Sequence, residues 1–183
     1  MVYLDVNEFI RSGRKALAEK NHFAALAVAL MLPSMCSRIE YAGNATYCNP
    51  SGRWYDRDCY VDWCKNYISS SGFTELGLGT DYPSVLYSLR CDMLHAGTTL
   101  NTHVASDGIS ESVALMINSG GVCHLEDARA ISIEQLCCDI FLSAENWFEN
   151  HKYDLSTPCQ EVLDMSDKKD RDVLDERLGC VDE

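Results

Sequence analysis

Four stretches of the chain repeat apolar residues at the three- and four-residue spacing of a helix, and a fifth is apolar almost all round. The first runs from Val6 to Lys20, with Asp5 placed to cap it and Phe9, Ile10, Ala16 and Leu17 at helical spacing. Asn21 interrupts it. His22 to Glu40 is the all-apolar stretch, which predicts a central helix buried on most sides, kinked or split at Pro33. A third helix is predicted over Arg57 to Ser69, with Tyr60, Val61, Cys64, Tyr67 and Ile68 inward. The fourth opens at Asp81 and Pro83, carries Val85, Leu86, Leu89, Met93 and Leu94 on one stripe, and ends at Gly97, just after His95. The last strong helix is predicted over Ile131 to His151, with Leu136, Ile140, Phe141, Ala144, Trp147 and Phe148 forming a broad face toward the motif-bearing and central helices.

Between these stretches the chain is rich in Gly, Asn, Ser and Pro, predicting loops around residues 41–56, 70–80 and 97–108. Ser112 to Ile117 and Val122 to Leu125 are β-prone runs separated by Asn-Ser-Gly-Gly, which predicts a hairpin around 112–126 covering one end of the helices. The fold expected is mainly α: a bundle of about five helices with a small β-hairpin insertion before the last core helix. It spans residues 1–158. Residues 159–183 form an acidic tail with nine acids against four bases, expected as a solvated segment or a short docking helix.

A chain of 183 residues with 46% hydrophobic content suits one domain with a sizeable core. No apolar run approaches twenty residues, and the opening MVYLDVNEF lacks the pattern of a signal peptide, so a cytoplasmic protein away from membranes is expected. Ten cysteines without any C-x-x-C are then expected to be reduced thiols, with neither a metal site nor a cofactor. The nearest approach to a metal set is Cys123-His124 with Cys137-Cys138. A formal charge of −13 opposes a phosphate backbone and counts against a sequence-specific DNA binder. Contact with RNA would be local, through Arg38, Arg53, Arg57 and Arg90, or brief.

Two residues in the fourth helix invite a chemical reading. Imidazole moves protons near neutral pH and guanidinium suits phosphate, so His95 and Arg90 are the candidates. Five residues of helix turn through ~500°, which leaves the two side chains ~140° apart on an ideal helix. Acting together, they need either an unwound helix end or a second subunit. His22, His103, His124 and His151 are expected as loop, cap or surface histidines, and Trp54, Tyr55, Tyr60 and Trp63 as packing aromatics. The bland reading of Arg90 is an ion pair with an acid such as Glu40, and of His95 a favourable charge at a helix C-terminus.

Around Arg90-Cys-Asp-Met-Leu-His95 the chain resembles the HEPN superfamily, helical domains marked by Arg, four to six residues, then His late in an amphipathic helix. Helices before and after the motif extend the similarity over most of residues 6–152. The family usually carries a polar residue directly after the Arg; here Cys91 stands there and Asp92 follows, placed to support the imidazole. The resemblance implies a metal-independent endoribonuclease in which His95 moves protons and Arg90 stabilises charge on phosphorus. It implies a homodimer completing each site across a two-fold axis, in a toxin–antitoxin or defence setting with an antitoxin or nucleotidyltransferase partner. The competing implication is a non-catalytic nucleotide-binding or interaction module.

Overall fold

The computed structural model describes residues 2–4, 6–42, 44–47, 54–69, 81–96, 103–106, 109–117, 122–124, 128–151 and 160–162. Its five helices are α1 (Val6–Ala18), α2 (His22–Glu40), α3 (Asp56–Tyr67), α4 (Tyr82–Ala96) and α5 (Ile133–His151). Short strands β1 (Val2–Leu4), β2 (His103–Ser106), β3 (Ile109–Met116), β4 (Val122–His124), β5 (Ala128–Ser132) and β6 (Gln160–Val162) complete a mainly α fold. As its composition demands, α2 lies in the middle, flanked by α1 and α5 on one side and by α3 and α4 on the other. The core gathers Ile10, Leu26, Leu30, Trp63, Leu86, Leu136, Phe141 and Trp147, all nearly or fully buried. Each such side chain contributes about 1.5–3 kcal/mol by leaving water.

Local chemistry explains where the helices begin and end. α1 stops at Ala18, two residues earlier than expected, in a six-residue closure: Asn21 N donates to Ala16 O at 2.8 Å and Lys20 N to Leu17 O at 3.0 Å. Lys20 takes the left-handed conformation there, φ 60°, usually left to glycine. Asn21 then caps α2, its side chain accepting from Ala24 N at 3.4 Å. Pro33 neither splits nor ends α2; it is buried, and packing on both flanks holds the helix through the one backbone bond it removes. α5 starts at Ile133 because Ser132 Oγ accepts from Gln135 N at 3.3 Å, while the Gln135 side chain donates to Asp139 Oδ1 one turn on, at 3.0 Å. Gly13 lets α1 approach α5 closely: a Cβ there would lie 2.4 Å from Phe141 Cζ.

The β insertion precedes the last core helix as expected, with a different pairing. The runs read as one hairpin, β3 and β4, do not pair with each other. The sheet order is β2-β3-β5-β4, with β5 parallel to β3 and antiparallel to β4. Ile131 and Ser132, expected as the first residues of the last helix, close β5 instead, where Ala130 and Ile131 are buried. The strands adjacent in sequence that do pair are β2 and β3, antiparallel, with Ser106 opposite Ile109. A second sheet joins the chain's two ends, Val2–Leu4 running antiparallel to Gln160–Val162, so the segment beyond 158 begins as a strand. α5 packs on α1 and α2, and the neighbours of α4 are α2, α3 and β2. Asp5, Arg53, Gly97, the loop 70–80 and the tail beyond 162 lie outside the described residues.

Candidate functional site

α4 buries Tyr82, Val85, Leu86 and Leu89 against α2 and α3, which turns Arg90 toward α3 and leaves the last turn outward. Met93 is half-buried, whereas Leu94, expected inward, is 37% exposed. The Arg90 side chain is 20% exposed. Its Nη2 lies 3.5 Å from Asp56 Oδ2 in the first turn of α3. Its Nη1 donates weakly to Cys91 Sγ at 3.8 Å, and its guanidinium sits 5.6 Å from the centre of the Tyr87 ring. The expected ion pair therefore exists with Asp56 as partner, while Glu40 is committed elsewhere.

Tyr60 packs edge-on against Tyr87 at 5.3 Å, with its hydroxyl fully buried. Burial pushes that hydroxyl well above its ordinary value, and the nearby Arg90 charge pulls it partly back. His95 is exposed in the last turn of α4, and Asp92 is half-buried. Among the described residues no hydrogen bond or ion pair joins Arg90 to His95. Within one chain, then, the structure gathers Arg90, Asp56, Tyr60, Tyr87 and Cys91, and leaves His95 apart. Of the other expected RNA contacts, Arg57 reaches Ser84 Oγ at 3.5 Å and Arg38 lies 6.0 Å from the Trp54 ring centre.

A second polar constellation escaped the sequence. Glu40, at the end of α2, accepts from Tyr67 OH at 2.7 Å and from Trp147 Nε1 at 2.8 Å, and its Oε2 lies 3.1 Å from His151 Nε2. His151 Nδ1 lies 2.8 Å from Trp147 O, and its ring stacks on Trp147 at 4.9 Å. Both imidazole nitrogens face oxygens. One carboxylate thus ties the ends of α2, α3 and α5 together. Its only sequence signal is the Trp147-x3-His151 spacing, which puts both side chains on one helix face.

His22, expected as a loop, cap or surface histidine, is buried at the start of α2 with Nε2 3.0 Å from Glu134 Oε1; the other oxygen of Glu134 accepts from Ser132 Oγ at 3.2 Å. Trp63 and Tyr60 are core residues as expected, and Tyr55 is exposed. Among the described residues no group of three or more His, Cys, Asp or Glu is arranged to hold a metal. In comparisons with protein families, with characterised proteins and with solved structures, nothing matches this chain. The HEPN resemblance rests on the residues of α4 and on the helices around them.

Proposed function

We propose that the chain is a HEPN-like, metal-independent endoribonuclease acting as a homodimer in the cytoplasm. The observation that carries this reading is the pair of resources on α4: a partly exposed guanidinium with unused donors and, one turn on, an exposed imidazole. Arg90 supplies charge to the phosphoryl oxygens, and His95 exchanges a proton with the ribose 2′-hydroxyl or the leaving oxygen. Attack by the 2′-hydroxyl needs no metal, leaves a 2′,3′-cyclic phosphate and a 5′-hydroxyl, and spares DNA. The two side chains point ~140° apart on one helix, so Arg90 of one subunit meets His95 of the other. Asp92 supports the imidazole. A toxin–antitoxin or defence setting, with an antitoxin or nucleotidyltransferase partner, suits such a nuclease.

The test is cleavage of labelled RNA by the purified chain in EDTA. Arg90→Ala and His95→Ala are each expected to slow cleavage by about 10²–10⁴-fold without loss of folding. Unchanged cleavage in either variant contradicts the assignment of that residue. The second reading is a non-catalytic nucleotide-binding or interaction module, favoured by the Arg90–Asp56 pair and the charge of −13. Nucleotide binding without cleavage of any RNA selects it.

A further inference from the structure

Two arginines among the described residues, Arg14 and Arg90, are held in different ways. Arg14 of α1 meets Glu145 of α5 with both prongs of its fork, Nε to Oε1 at 2.5 Å and Nη2 to Oε2 at 2.6 Å. That geometry uses the guanidinium as a carboxylate partner fully. Arg90 has one oxygen of Asp56 at 3.5 Å, longer than an ordinary N–H···O bond. Its Nε is buried without a hydrogen-bond partner among the described residues. The Tyr60 hydroxyl, fully buried, has none either. Both side chains lie against the Tyr87 ring. Two buried donors with no acceptor destabilise the site, and a carboxylate at this distance answers the charge of Arg90 and neither donor.

We propose that Asp56 is a displaceable counter-ion, and that a phosphate-type oxyanion takes its place on Arg90, accepting from Arg90 Nε and from the Tyr60 hydroxyl. This rests on the reading of Arg90 as the phosphate contact and adds two residues of α3 to it. Asp56 neutralises the guanidinium in the empty chain and lowers affinity for any single phosphate, because the anion must first expel a carboxylate. A ligand with further contacts pays that cost more readily than free phosphate does. The site thereby prefers a phosphate embedded in a longer chain.

Calorimetric titration of the full chain with inorganic phosphate, and with a 2′-deoxy dinucleotide that cannot undergo 2′-hydroxyl attack, tests this without depending on catalysis. Asp56→Asn is expected to tighten both by about 5–30-fold, and Tyr60→Phe, which keeps the ring and loses only the hydroxyl, to weaken both by about 3–10-fold. Asp56→Ser carries the same expectation should the Asn variant not fold. Unchanged or weaker binding in the folded Asp56 variants overturns the proposal, as does absence of binding in every form. RNA cleavage by the wild type alongside unaltered phosphate affinity in Asp56→Asn leaves the nuclease reading standing and removes this one. Tighter phosphate binding in Asp56→Asn with no RNA cleaved does the reverse.

Discussion

Cys59, Cys137 and Tyr47 are among the side chains that make the residue scale sensitive to alkali. Burial pushes the Cys59 thiol up to about 11 and the Cys137 thiol up to about 12, from an ordinary value of 9.0. Tyr47 is pushed up to about 12 from 10.0, first by the hydrogen bond it donates to Asp62 at 2.9 Å and then by burial. In each case the folded chain keeps a proton that the unfolded chain releases. Their contribution is complete below the unfolded values and is lost as pH rises toward the folded ones. Denaturant midpoints, measured under reducing conditions, are expected to stay level to about pH 9 and to fall between about pH 9 and pH 11, with a shallower fall in Tyr47→Phe above about pH 10. A midpoint constant across that window contradicts the assignment. Some residue-scale features had no reading in the sequence. Lys20 ends α1 in a conformation that glycine would have announced, and the burial of His22 depends on Glu134, more than a hundred positions away.

At the scale of elements, periodicity located four helices because burial of one face fixes spacing locally, and the run of apolar residues on every side located α2. α2 matches its expected span from His22 to Glu40. The strands were harder. β5 has no signal of its own because Ala-Arg-Ala-Ile-Ser lacks strict alternation, so its last two residues join the helical pattern that follows, and its place between β3 and β4 is a non-local choice. Asp107-Gly108 lies in a stretch whose polar composition marks a loop, and the residues flanking it pair as β2 and β3. Helix ends meet at Glu40, which satisfies donors from α3 and α5 at once. Glu40→Ala strips Tyr67, Trp147 and His151 of their shared acceptor and is expected to cost about 2–4 kcal/mol in denaturant unfolding; Glu40→Gln, which keeps one acceptor oxygen, is expected to cost less. A loss below about 0.5 kcal/mol for Glu40→Ala means that the carboxylate does not hold the three helices together.

For the whole molecule, the decisive question is how residues on one helix serve one reaction. The motif and its helix were legible; the partner of Arg90 was not, since Asp56 lies 34 positions earlier on α3 and nothing local marks it. The structure turns Arg90 inward to α3 and His95 outward, as the ~140° separation requires. A net charge of −13 also keeps copies apart at long range, so the proposed dimer requires local contacts and is expected to strengthen with salt.

The central claim is that Arg90 of one subunit and His95 of another make one ribonuclease site. Mixing the two inactive variants tests it most directly. In an Arg90→Ala and His95→Ala heterodimer one composite site is intact, so random exchange restores about a quarter of the wild-type RNA cleavage rate in EDTA. No recovery after verified subunit exchange, or a wild-type chain that leaves every RNA whole, contradicts it.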